Sequence, residues 1–187
     1  NQNVFKDRRE FCGSIMQQMN EVYDYIDLHN QTHATFHKLL RVDTRDYPEV
    51  AVREALMNTL VHRDYSFRAA TLISIYDEFV SVGGLISGLE LDDVLMGVSV
   101  CRNPHLANIF YRLQLIEAYG TGMKKILGAY ADSVVQPQIK TTNNAFKIIL
   151  PNLHYRSTTT EVSNIVEEEV TPYLDSKDRI IMEFLSK

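Results

Sequence analysis

Glu54, Asn58 and His62 fall at i, i+4 and i+8 within the run YPEVAVREALMNTLVHRD, residues 47–64. On a helix that spacing stacks a carboxylate, an amide and an imidazole in one stripe, three groups able to ligate, donate or take up protons. Val52, Ala55, Leu56 and Thr59 lie beside the stripe, so it borders a buried face rather than open water. A second group sits at Gly120-Thr121-Gly122, which opens onto a helix start followed by Lys124 and Lys125. Backbone N–H groups at such a start, together with the helix dipole, form an anion site. Each feature also has a plain structural reading. Asn58 and His62 would serve as hydrogen-bonded residues at the core edge, and the glycine turn as a connector.

Other catalytic patterns are excluded by their spacing. The GxxxxGK[ST] phosphate loop is absent. His62-Arg63-Asp64 matches the kinase HRD only in three letters, because Ala69 stands where the Asn should be and no DFG follows. GxSxG and HExxH are missing, and the six histidines do not cluster as ligands. Cys12 and Cys101 form neither a metal spacing nor a disulfide framework, which suits a reducing, cytoplasmic setting.

These groups need elements to position them. Pro48 suits the start of the stripe's helix, and the run after it has no Gly or further Pro, which predicts about four turns. Residues 6–30 read as a long amphipathic helix on the recurrence of Phe11, Ile15, Met19, Val22 and Ile26. Residues 29–45 read as a polar connector with a short extended piece around Phe36–Leu40. Leu72–Ile75 and Phe79–Val82 predict two strands, followed by a glycine corner at Gly83-Gly84. A short helix over 89–96, a helix opened by Pro104, a helix after Gly122 and a strand over 145–151 complete the pattern. The order implies an α+β fold with helices layered on a mixed or antiparallel sheet.

The chain has 187 residues, 45% hydrophobic and 23% charged, which suits one full domain with a sizeable core plus a fragment. Its net charge of −5 argues against a nucleic-acid-coating surface on this piece. No apolar run approaches a membrane span. The chain starts without Met and without a signal-peptide layout, so a longer parent protein is expected. Three regions are expected: a domain over 1–155, an acidic linker over 156–172, and a start of a further domain over 173–187. There Ser176 reads as an N-cap for a helix carrying Ile180, Ile181, Phe184 and Leu185.

In combination, the ExxxN helix, the glycine corner, the GTG helix start and the closing FKIILP strand resemble the GHKL ATPase fold of histidine kinases, gyrase-type subunits and large heat-shock chaperones. The longer matches EALMNTLVHRDYS, SVGGL, SVCRNPHLANIFYRLQLIEAYGTGMKKI and NNAFKIILPN resemble the C-terminal domain of bacterial RecG-like helicases and transcriptional regulators. In those proteins a Schlafen-type AlbA domain precedes this one and a winged helix often follows. The resemblance covers roughly residues 5–155 and implies a two-layer α/β sandwich, with SKDRIIMEFLSK as the first helix of a winged helix.

The resemblance implies roles for individual residues. Glu54 would orient or deprotonate the attacking water, and Asn58 would bind Mg²⁺ with Glu54 nearby. Gly83 and Gly84 would border the adenine, and Gly120, Thr121 and Gly122 would cover the phosphates. His62, Ser81, Arg102 and Asn103 complete the implied nucleotide-binding set. Ser81 stands where the family carries an adenine-contacting Asp. Replacing such a charge-assisted contact by a hydroxyl costs on the order of 1.5–3 kcal/mol, roughly ten- to a hundredfold in affinity.

ATP and Mg²⁺ are thus the implied cofactors, with a slow ATPase or an ATP-gated switch as the activity. A helicase motor is excluded because no motor motif is present. DNA would be reached through the winged helix rather than this fragment, and the resemblance allows a homodimer and no membrane. The competing expectation is a degenerate GHKL scaffold for dimerisation or regulator assembly that no longer binds nucleotide.

Overall fold

The computed structural model describes residues 5–75, 78–117, 120–154 and 179–184. Among these residues, eight strands and five helices run in the order β1 (Phe5–Phe11), α1 (Ile15–His29), β2 (Thr32–His37), β3 (Leu40–Arg45), α2 (Glu49–Val61), β4 (Thr71–Ile75), β5 (Glu78–Val82), α3 (Leu91–Met96), α4 (Pro104–Arg112), α5 (Gly122–Gly128), β6 (Gln138–Thr141), β7 (Ala145–Ile149) and β8 (Arg179–Phe184). Six strands form one sheet in the order β1-β8-β4-β5-β7-β6, while β2 and β3 pair with each other in a second, two-stranded sheet. Within the large sheet β1 and β8 are parallel, and the other neighbours are antiparallel. The mixed, largely antiparallel sheet with helices bears out the α+β expectation.

α2 is the central helix. Its carbonyl ladder begins at Pro48, whose oxygen accepts from Ala51 N at 2.9 Å and Val52 N at 3.1 Å. Ala51, Val52, Ala55, Leu56, Met57, Thr59, Leu60 and Val61 are all buried, so apolar contacts hold α2 on most sides. The apolar ones share one core with Val22 and Ile26 of α1, Ile73 and Ile75 of β4, Phe110 of α4, Ile126 of α5 and Ile148 of β7. Alternation along β7 sends Phe146 and Ile148 to the same face. Such a helix is fixed by burial, at about 25 cal/mol per Å² of apolar surface removed from water. The Glu54 stripe is the side left partly open.

Both ends of α2 are fastened. Asn30, after α1, donates through Nδ2 to Tyr47 O at 2.9 Å and accepts from Tyr47 N at 2.9 Å. This buried two-way pair closes the excursion of β2 and β3. At the other end the buried Arg63 donates to Thr71 Oγ1 at 2.9 Å and Ala69 O at 2.5 Å, tying the helix exit to β4. The HRD triplet therefore serves structure through its arginine.

Three local expectations are corrected. The helix expected over 6–30 begins only at Ile15: Gly13, at φ +108°, turns the chain, and Ser14 caps α1 by accepting from Gln17 N at 3.2 Å. Residues before Gly13 form β1. The connector expected over 29–45 is the hairpin β2–β3, turned by Lys38 at φ +57°. The helix expected after Ser176, as the start of a winged helix, is replaced at Arg179–Phe184 by strand β8, which lies between β1 and β4. Ile180-Ile181 favour extended backbone. The linker expected over 156–172 and the Ser176 cap lie outside the described residues. β6 is a further strand that pattern reading missed.

Candidate functional site

The glycine turn before α5 packs directly on the polar stripe of α2. A Cβ built on Gly122 would collide with Glu54 Oε1 and come within 3.1 Å of Asn58 Nδ2. Only a glycine lets the backbone approach the carboxylate and amide this closely. Gly120 adopts φ +62°, and a Cβ there would meet Gly97 O and Ser99 Cβ at 2.8 Å each. The segment after α3 thus folds onto the same turn. The result is a cleft of about 730 Å³, open mouth included. Asn58, His62, Gly120 and Gly122 line one end. Gly83, Gly84, Leu85, Ile86, Leu89, Val94, Val98, Val100 and Phe146 supply mostly apolar walls, with Ser99 and Arg102 as the other polar groups.

Asn58 carries the polar signal of the cleft. Its buried Nδ2 has no hydrogen-bond partner among the described residues. A buried amide left unpaired costs about 1–3 kcal/mol, so a group that satisfies it from the cleft is favoured. The two ends of an amide exchange by a flip about the side chain. Nδ2 toward the cleft is a donor for an anionic oxygen, whereas Oδ1 is a hard ligand for a cation.

Glu54 is partly buried, with its side chain 14% exposed, and Arg53 Nη1 lies 3.7 Å from its Oε2. Burial raises its pKa, Lys125 and Arg53 pull it back, and Glu117 adds to the rise. Lys125 is meanwhile engaged by Glu117, Nζ to Oε1 at 2.6 Å, and Thr121 Oγ1 donates to Glu117 Oε2 at 3.0 Å. Those two contacts hold Glu117 below the ordinary carboxylate range, the lysine bond being the larger cause. Thr121 is the N-cap of α5, with its hydroxyl turned to Glu117. His62, at the C-cap of α2, has a lowered pKa because it is buried and, secondarily, because Arg102 is near. It is a neutral imidazole facing the cleft at pH 7.

Arg102 occupies the glycine corner. Its Nη2 donates to Gly84 O at 2.7 Å and its Nη1 to Asp64 Oδ2 at 3.2 Å. The guanidinium fills the space that a Cβ on Gly83 would need, and Gly83 takes φ +101°. Gly84 in turn packs on the β6–β7 turn, where a Cβ would collide with the backbone of Thr142 and Asn143. Asn103 does different work. Its Nδ2 donates to Val61 O at 2.8 Å and Arg63 O at 2.7 Å, capping α2 from the start of α4. Ser81 lies on β5 in register with Phe146.

Of the residues singled out by sequence, Asn58, His62, Gly83, Gly84, Arg102, Gly120 and Gly122 line one cleft, with Glu54 against Gly122. Asn103 and Thr121 support it from behind. Pattern reading missed the apolar walls from α3 to Val100, and it missed Asp64 as the partner of Arg102. The signal for the walls was weak, since Val98 and Val100 belong to a loop rather than to a periodic element.

Residues 71–150 match a protein-family model, HATPase_c_4, described as "Putative ATP-dependent DNA helicase recG C-terminal". The matched stretch is similar to an HATPase-like domain of RecG-type proteins. It contains the glycine corner and the GTG turn, and α2 precedes it. No match is found among curated proteins. Among solved structures, the DIP2311 protein from Corynebacterium diphtheriae superposes with a TM-score of 0.67 at 18% identity, over 81% of this chain and 35% of that one. The chain thus spans about a third of that protein's length, and the likeness is one of fold.

Among the described residues no group of three or more His, Cys, Asp or Glu is placed to hold a metal, and no helix is long and apolar enough to cross a membrane.

Proposed function

We propose that this cleft binds a Mg²⁺-nucleotide and that the domain is the nucleotide-gated part of a bacterial RecG-type, DNA-binding regulator. The observation that carries the reading is the unpartnered Asn58 Nδ2 beside the Gly122–Glu54 contact. A triphosphate suits that end because Asn58 offers it a hydrogen-bond donor, or its metal a ligand, at the rim of the glycine turn. Mg²⁺ characteristically takes one or two protein groups and completes its shell with phosphates and water, so Asn58 with Glu54 nearby is a sufficient protein share. When bound, the ion neutralises phosphate charge. Glu54, whose pKa is raised chiefly by burial, would orient or deprotonate a water, which makes a slow ATPase or an ATP-gated switch the expected activity. The apolar end, walled by Leu85, Ile86, Val94 and Phe146, suits the face of a base. DNA contacts are assigned outside this chain, whose net charge is −5.

The fold reading behind this is the two-layer GHKL-type sandwich, supported by the family match over 71–150 and by the shared core of α1, α2, α4 and α5 with the sheet. A thermal-unfolding assay tests the site. Saturating Mg-ATP at a hundred times its Kd should stabilise the protein by about 2.7 kcal/mol. The shift should vanish in Asn58→Ala; an equal shift in that variant would place the ligand elsewhere.

Two observations favour a second reading. Arg102 occupies the glycine corner where the family's adenine would lie, and Ser81 lacks the acceptor charge of the family's Asp. A scaffold that has lost nucleotide binding would explain both. Such a protein would show no thermal shift with any nucleotide.

A further inference from the structure

The hairpin β2–β3 stands away from the large sheet with Phe36 74%, Leu39 98% and Leu40 71% exposed. Its base is held firmly. His33 Nε2 lies 2.9 Å from the buried Asp46 Oδ1, Thr44 Oγ1 is 3.0 Å from His154 Nε2, and Arg45 pairs with Asp27. The arm is therefore anchored at its base. An exposed apolar two-stranded ribbon is marginal in water unless another strand or face covers it.

The outer edge of β3 indicates its partner. Thr35 Oγ1 donates to Val42 O at 3.2 Å, so the Val42 carbonyl points inward, toward β2. By alternation the N–H and C=O groups of Arg41 and Asp43 point outward, along the edge that has no partner strand among the described residues. Arg41, Val42 and Asp43 are all exposed. A second β3 laid antiparallel with its Val42 opposite Val42 brings Arg41 against the copy's Asp43, and Asp43 against its Arg41. The outward backbone groups fall in the hydrogen-bonded positions of that register, and the side-chain charges match on both sides. A strand edge whose charges are self-complementary about its own centre suits the same patch on a two-fold-related copy.

We infer that β3 pairs with β3 of a second copy of this chain to form a four-stranded ribbon centred on Val42. Val42 and Leu40 of both copies then share one face. DNA is the poorer occupant, because Asp43 beside Arg41 and Asp27 beside Arg45 cancel the positive charge that a phosphate backbone needs.

Sedimentation over a concentration series tests the pairing. The expected mass is twice the 21.5 kDa chain, falling to a single chain on dilution. Arg41→Asp alone and Asp43→Arg alone each set like charges opposite and should shift the chain to monomer. The double swap should restore the dimer. Asp43→Pro should also give a folded monomer, since its N–H faces away from β2. A wild-type monomer at every concentration overturns the inference. So does a dimer indifferent to both single swaps, or a mass increase seen only with added duplex DNA.

Discussion

The Glu54 carboxylate lies so close to the Cα of Gly122 that no side chain fits between them. Two segments far apart in sequence are thereby locked at one point, with Asn58 Nδ2, unpaired among the described residues, beside it.

Gly122→Ala follows directly. The added methyl must displace Glu54 or shift the turn, at a cost of about 1–3 kcal/mol in stability. Denaturant titration should show that loss with an unchanged slope, and nucleotide binding should fall with it. Full stability in the variant would mean that the contact is slack.

Glu54 gives a pH-dependent outcome. Its pKa in the folded protein is raised above 4.5, chiefly by burial. Between the unfolded and folded values the native state binds more protons than the unfolded chain, so its contribution to stability is lost as pH rises through that window. Glu54→Gln should raise the melting temperature at pH 7 and leave it unchanged below the ordinary carboxylate range. Turnover, where present, should be abolished.

His62 has the opposite dependence. Its folded pKa is lowered from 6.5 by burial and by Arg102, so stability present above 6.5 declines as pH falls below it. In an NMR titration its ring should protonate below the ordinary histidine value, and Arg102→Met should move that titration upward. A ring titrating at 6.5 in the folded protein would contradict the burial argument.

Asn103→Ala separates support from contact. It leaves Val61 O and Arg63 O without their donor, costing about 1–3 kcal/mol of stability. Nucleotide affinity measured well below the melting temperature should change little. A selective loss of affinity with stability intact would assign Asn103 to the ligand.

What the sequence made legible was periodic or punctuated. The α2 stripe, the paired strands β4 and β5, the Pro104 helix start, the GTG turn and the Ala145 strand all carry such local signals. The misreadings arose where those signals conflict. Phe11 fits the apolar spacing of α1, yet Gly13 and Ser14 between them end one element and cap the next. In β3, Arg41, Asp43 and Arg45 hide a strand among charges, because the strand is exposed. The run from Arg179 to Phe184 is short and apolar, and periodicity alone does not separate helix from strand there. In the cleft, the spacing of Glu54, Asn58 and His62 was readable. The meeting of Gly122 with Glu54 and the seat of Arg102 were not, since both join distant segments.

Calorimetric titration with ATP and Mg²⁺, with GTP, and on Asn58→Ala tests the central claim most directly. The account predicts magnesium-dependent heat with the wild-type chain that is lost in the variant, with the ATP-to-GTP ratio reporting how far Ser81 and Arg102 have reshaped the base end. Absence of heat with either nucleotide, in a folded sample, would contradict it and leave Glu54 and Asn58 as parts of a scaffold.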